Sequence, residues 1–156
     1  MVDPLLHVVL YQPEIPLNTG SIGRTCVAAG VKLWLVRPLG FRLDDRHLRR
    51  AGLDYWEHLE WEVVDDWQTL CAKLAGHRFW YATKWAEQTV WKVGFRSGDV
   101  LVFGGESHGL PRWIVEPSSV QAMRIPMRGE AWSLNLANAA SIVVYEALRQ
   151  RNAVGS

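Results

Sequence analysis

The sequence predicts an α/β fold, a mostly parallel sheet with helices on both faces. Short apolar runs of strand length recur along the chain, as in HVVLY (7–11) and VLVFG (100–104). Stretches with helical spacing alternate with them, which implies crossover connections and parallel pairing. Polar, glycine-containing turns follow the runs. In an open α/β sheet, loops at the C-terminal ends of strands are where a ligand usually binds. At 156 residues the chain is expected to form one domain over 1–156, long enough for a core of its own.

Residues 7–11 read as a buried strand. The turn-rich QPEIPLNTG follows, with Asn18 as the expected N-cap of a helix over 19–29 that Gly30 stops. A second strand covers 32–36, and Pro38 and Gly40 then break the chain. Asp44 or Asp45 caps a short basic helix that reaches about residue 51. A strand over 60–64, a helix over 66–75 and a strand over 78–83 come next, whereas 88–95 fits neither period. Strands over 100–104 and 122–125 precede a final helix over 134–150. In that helix Leu136, Ala139, Ala140, Val143, Val144, Ala147 and Leu148 form one wide apolar stripe. Asn138, Ser141, Ile142 and Tyr145 extend it around the side. Such a helix is either central to the core or packed on both the sheet and a second subunit. The second is preferred, because Gly20 and Gly23 in the first helix permit close approach of another backbone.

Composition narrows the function. No apolar run approaches the ~20 residues that span a bilayer, and no signal-peptide pattern is visible at the N-terminus. Cys26 and Cys71 are too few for a disulfide framework, so a reducing, cytoplasmic setting is expected. The five histidines show no metal-ligand spacing, and no metal is expected. Net charge is only +1, but Arg37, Arg42, Arg46, Arg49 and Arg50 cluster with only Asp44 and Asp45 against them. That cluster is either a phosphate footprint or a locally paired helix face. Nine tryptophans are many for this length. Packing is expected for most of them. Trp85 and Trp132, each beside a candidate site loop, are candidates for stacking on unpaired bases.

The nucleotide motifs GxxxxGK[ST] and GxGxxG are absent, and Ser107, His108 and Ser133 lack a GxSxG elbow. What remains is polar residues at transitions between strand and helix: Asn18 and Arg24, Thr83 and Lys84, Gly104, Gly105 and Glu106, and Ser133 with Asn135. The Gly104–Gly105 turn would let a flat ligand lie against the main chain. Glu106, directly behind an apolar strand, needs a specific partner. Ser133 or Asn135 caps its helix, and Arg24 is open to pairing with a carboxylate.

At these residues the chain resembles a known family. NTGxxxR (18–24), FGxExxGLP (103–111) and SxNLxxA (133–139) are similar, in order and spacing, to the three motifs of SPOUT-superfamily RNA 2′-O-ribose methyltransferases. The short length and GFRLDDRHLRRAGLDYWEH (40–58) resemble the tRNA wobble-position cytidine/uridine type, called TrmL or YibK. The resemblance covers roughly the whole chain. It implies a sheet with a deep C-terminal trefoil knot, an exception to the rule against knotted chains. It implies S-adenosylmethionine as cofactor, S-adenosylhomocysteine as product, and a pocket lined by Tyr81, Gly104, Ile125, Ser133, Leu134 and Asn135. It also implies a homodimer in which Arg24 of one subunit serves the pocket of the other, with Asn18, Glu106, Ser133 and Asn135 organising it. A guanidinium is a donor-only group. Arg24 is therefore expected to orient the adjacent phosphate and stabilise developing alkoxide rather than take the proton. The partner implied is a tRNA anticodon stem-loop, held through Arg42, Arg46, Arg49 and Arg50. The alternatives are the same chemistry on another tRNA or rRNA ribose, or a knotted RNA-binding module without catalysis.

Overall fold

The computed structural model describes residues 4–48, 55–131 and 133–151. Six strands form one parallel sheet: β1 (His7–Tyr11), β2 (Lys32–Val36), β3 (Trp61–Val64), β4 (Phe79–Ala82), β5 (Val100–Gly104) and β6 (Ala122–Met123). The helices are α1 (Pro16–Ala29), α2 (Trp67–Lys73) and α3 (Leu136–Arg151), with a single 3-10 turn at Val90–Lys92. The sheet order is β3-β2-β1-β5-β4-β6. From β1 the chain first builds outward through β2 and β3, then returns to place β5, β4 and β6 on the other side. The C-terminal ends of β1 and β5 therefore border the crevice where the direction of winding reverses, with Tyr11 paired to Gly104.

Strand alternation divides the core. Val8, Leu10, Leu33, Leu35, Leu101 and Phe103 share one cluster with Ile22 and Cys26 of α1 and with Val143 and Ala147 of α3. Val9, Trp34, Val36, Val100 and Val102 face the other way, onto Leu70 and Leu74. Apolar residues on both faces explain why the central strands read as unbroken hydrophobic runs. At the N-terminal edge, Asp99 is almost wholly buried. Its carboxylate accepts from Arg78 Nε at 3.0 Å and Nη2 at 2.8 Å, from Trp80 Nε1 at 2.9 Å and from the Arg96 amide at 2.8 Å. That edge is built for stability, which leaves the C-terminal edge for a site.

Several boundaries differ from expectation. The first helix begins at Pro16, not Thr19, because proline is pre-organised for the first helical position. Asn18 is thus inside the first turn and caps nothing; Ile15 holds the cap position without a side-chain bond. Gly30 ends the helix in the left-handed region at φ 69°, as expected. The final helix begins at Leu136, capped by Asn135 Oδ1, which accepts from the amides of Ala137 at 2.9 Å and Asn138 at 3.2 Å. The strand expected over 122–125 is only Ala122–Met123, with Arg124 in an isolated bridge to Thr89. Of the expected basic helix, residues 46–48 are helical; its remainder, with Arg49 and Arg50, lies outside the described residues, as does Trp132.

The close approach offered by Gly23 is taken up inside the chain. A Cβ there would stand 2.9 Å from the Trp56 ring. The expected stripe of α3 is buried at Ala140, Val143, Val144, Ala147 and Leu148, while Tyr145 on its side is 46% exposed. Ser141 Oγ meets Thr25 Oγ1 of α1 at 3.1 Å. No helix among the described residues is long and apolar enough to cross a membrane.

Candidate functional site

The site is built where three segments distant in sequence meet. The amides entering α1 need an acceptor, and α1 has no acidic residue in its first turn. Glu106, from the turn after β5, supplies it. Its carboxylate accepts from the amides of Glu14 at 2.8 Å and Ile15 at 3.0 Å, and from Asn18 Nδ2 at 3.1 Å. A carboxylate at a helix N-terminus also complements the helix dipole. The contact is reciprocal. Glu14 accepts from the amide of Ser107 at 2.9 Å and from its hydroxyl at 2.7 Å. That hydroxyl is the main reason the Glu14 carboxyl lies below the ordinary glutamate value. The Ser107 hydroxyl is thus committed to a structural clasp.

The network runs on to the last helix. Because Glu106 only accepts, Asn18 must present its amide nitrogen to it, and its Oδ1 is left to accept from Asn135 Nδ2 at 3.0 Å. Asn135 is then left with its own oxygen, which caps α3. One ionised group fixes the orientation of two amides and the start of two helices.

The glycine turn is packed tightly by its own chain. A Cβ on Gly104 would overlap the backbone of Gly109 and Leu110, and one on Gly105 would come within 2.5 Å of Gln12 O. The space is filled by the chain folding back on itself, closed by Gly109 N–H to Gly105 O at 2.9 Å. The missing side chains make room for the turn, and Gly104 and Gly105 also line the cavity beside it.

Above this turn lies a cavity of about 660 Å³, within the size range of small-molecule sites. Of the residues expected at a site, Asn18, Gly104, Glu106, Ile125, Ser133, Leu134 and Asn135 line it. So do Thr83 and Lys84 after β4, and Trp85, which is 69% exposed. Ile125, Met127, Leu134 and Leu136 provide apolar wall, and the turns at 104–110 and 133–135 provide polar rim. That mixture suits a flat, neutral heterocycle with polar edges better than a chain of phosphates. No group of three or more potential metal ligands occurs among the described residues.

Two expected residues lie elsewhere. Tyr81 is not in the lining. Strand alternation turns its ring to the opposite face, 6.3 Å from Trp67 and 6.1 Å from Phe79, where burial pushes its hydroxyl up to about 12. Its neighbour Ala82 lines the cavity instead. Arg24 is exposed on α1, outside the cavity of its own chain, with its guanidinium 4.7 Å from the centre of the Tyr55 ring. In the basic segment, Arg42 pairs with Asp44 at 3.1 Å between highly exposed side chains, and Arg46 is also exposed. Sequence reasoning missed Glu14 and Met127. Glu14 carries no local signal, since its partner Ser107 is 93 residues away.

Known proteins resemble this chain in sequence and fold. Residues 5–145 match the SpoU rRNA Methylase family. The chain is 44% identical over 153 residues to a tRNA (cytidine(34)-2′-O)-methyltransferase of Methylovorus glucosotrophus, covering 97% of this chain and 99% of that one. The same identity and coverage hold for the protein of that name from Saccharophagus degradans. A solved structure described as "Structural insights into the 2-OH methylation of C/U34 on tRNA" superposes with a TM-score of 0.90 at 43% identity, covering 96% of this chain and 97% of that one. The SpoU methyltransferase AviRb from Streptomyces viridochromogenes, solved in complex with AdoMet, superposes at 0.81 with 26% identity, over 99% of this chain and 61% of that one. With nearly its whole length matched by family and relatives alike, this chain belongs to the SpoU methylase family.

Proposed function

We propose that this protein transfers the methyl group of S-adenosylmethionine to the ribose 2′-hydroxyl of the wobble nucleotide, cytidine or uridine, of a tRNA. The observation that carries the reading is a coincidence of position. Residues of all three motifs meet at one cavity of about 660 Å³, in a chain matched over nearly its full length by tRNA (cytidine(34)-2′-O)-methyltransferases.

The residues present fit the cofactor. Ile125, Leu134 and Leu136 offer apolar surface to an adenine. The main chain of the 104–110 turn and the Ser133 hydroxyl offer polar edges. S-adenosylmethionine supplies an electrophilic methyl on a sulfonium and leaves as the neutral thioether S-adenosylhomocysteine. The work left to the protein is positioning and stabilisation of the ribose oxygen as its proton departs. Glu106, Asn18 and Asn135 hold the rim rigid. Arg24, outside its own cavity, is read as acting on a ribose bound at the cavity of a second subunit, orienting the adjacent phosphate and stabilising the alkoxide. The exposed apolar side chains of Ile15, Leu17 and Leu134 close to this rim support a homodimer. A deep trefoil knot through the segments after β4, β5 and β6, a single domain over the whole chain and a cytoplasmic setting complete the reading. Arg42 and Arg46, with Arg49 and Arg50, are read as an anticodon stem-loop contact whose affinity falls steeply with salt.

The test is mass-spectrometric mapping of ribose methylation on tRNA incubated with purified protein and S-adenosylmethionine. Arg24→Ala is expected to bind the cofactor normally in calorimetry and to lose about a hundredfold or more in transfer. Near-normal turnover in that variant removes the role of Arg24, and absence of ribose methylation by the wild type removes the proposed activity.

A further inference from the structure

The cofactor cavity does not end at Trp85. A second, more open cleft of about 430 Å³ continues from it, lined by Lys84, Trp85, Arg124, Ile125, Met127 and Arg128 among others. Lys84, Trp85, Ile125 and Met127 line both spaces, so they are contiguous, with the indole standing at their junction. Trp85 leaves 69% of its surface open, although an indole is among the costliest side chains to leave in water. Its amide nitrogen lies 3.4 Å from Thr83 Oγ1 at the end of β4, which ties the residue to the sheet, and the Lys84 ammonium lies 5.0 Å from its ring centre. Arg124 is anchored through Nε to Ala86 O at 3.1 Å, which fixes its guanidinium along the wall. Arg128 is 91% exposed, and the nearest carboxylate, Glu130, is 3.8 Å away and 80% exposed, a pair too loose to neutralise it. Among the described residues, the lining thus carries three cations, one open indole and no carboxylate.

An aromatic face beside fixed positive charge is the recognition chemistry of an unpaired nucleotide. The base stacks, and the phosphodiester meets the cations. Resting on the activity proposed above, we propose that this cleft grips the nucleotide next to the methylated ribose, with its base on the Trp85 indole and its phosphate between Arg124 and Arg128. The cleft would then align the target 2′-hydroxyl with the cofactor cavity by holding the neighbouring residue of the loop. It is separate from the Arg42 and Arg46 segment and would read the loop rather than the stem.

The test measures binding of an anticodon stem-loop RNA, S-adenosylmethionine affinity, oligomeric mass and methyl transfer for wild type, Trp85→Ala, Trp85→Phe and Arg128→Ala. Trp85→Ala is expected to weaken RNA binding by about five- to a hundredfold, well beyond any change in cofactor affinity and with mass unchanged, and Trp85→Phe to recover most of it. Arg128→Ala should lower the salt slope of RNA binding by about one. RNA affinity indifferent to Trp85→Ala overturns the cleft. So does a loss traced to cofactor affinity, which would make Trp85 a cofactor lid, or to a change of mass, which would make it a subunit contact. Because binding is read apart from catalysis, the two proposals fail separately. Protein that binds the stem-loop through Trp85 without methylating it keeps the cleft and loses the activity. Protein that methylates with affinity indifferent to Trp85 keeps the activity and loses the cleft.

Discussion

Removing the Glu106 carboxylate should loosen both helices that frame the cavity. Glu106→Ala deletes three hydrogen bonds, to the amides of Glu14 and Ile15 and to Asn18 Nδ2. Bonds to an ionised acceptor are worth about 1.5–3 kcal/mol each when well shielded. Here one is exposed and two are part-buried, so about 1 kcal/mol each is the fitting value. The helix dipole adds about 0.5 kcal/mol. The expected loss is about 3.5 kcal/mol, a fall in Tm of about 7–14 °C for a chain of this size. Glu106→Gln should lose roughly half as much, because one oxygen still accepts while the amide nitrogen faces a donor. Urea unfolding of the two variants, followed at equal m-value, gives the free energies, and calorimetry with S-adenosylmethionine reports the cavity. An Ala variant destabilised by less than about 0.5 kcal/mol, within the range of an ordinary surface substitution, would refute the reasoning that this carboxylate holds the rim.

Gly104→Ala should destabilise more severely, by several kcal/mol (about 3 or more), since the added carbon overlaps the Gly109–Leu110 backbone, which has no rotamer to yield; normal stability with intact cofactor affinity would contradict the packing described. A pH series tests the Glu14 clasp. Its carboxyl lies below the ordinary value of 4.5, mainly through the Ser107 hydroxyl, so its contribution is complete above that value and vanishes as pH falls through the lower folded-state value. The gap in urea midpoint between wild type and Glu14→Gln should therefore narrow in acid, and a gap independent of pH would count against the clasp.

Much of the scaffold was legible because the signals are local. HVVLY and VLVFG sit at the centre of the sheet with cover on both faces, so their apolar runs match β1 and β5 residue for residue. Gly30 and Asp66 mark helix ends through their own φ or side chain. What misled was supplied from a distance. Asn18 has the composition of an N-cap, yet a carboxylate 88 residues away claims its amide. Gly104 signals a special backbone site, but nothing nearby in sequence says that Gly109 and Leu110 occupy the vacated space. Tyr81 follows the motif by position, while a strand period of two carries its ring to the far side of the sheet. β6 is a two-residue edge pairing and leaves only a weak periodic trace.

The chain of contacts from Glu106 through Asn18 to Asn135 joins partners separated by 88 and 117 residues. No fragment of the polypeptide contains the rim. During synthesis the start of α1 emerges early but must wait for the turn after β5, and then for the segment opening α3, before its amides and amide side chains are satisfied. Ligand competence therefore arrives late, and a ligand that fills the cavity binds only molecules in which these three segments have already met. By mass action such a ligand adds its binding free energy to that closure. The pocket would thus serve as a folding clamp, most useful where closure of long loops is the slow and costly part of reaching the native state.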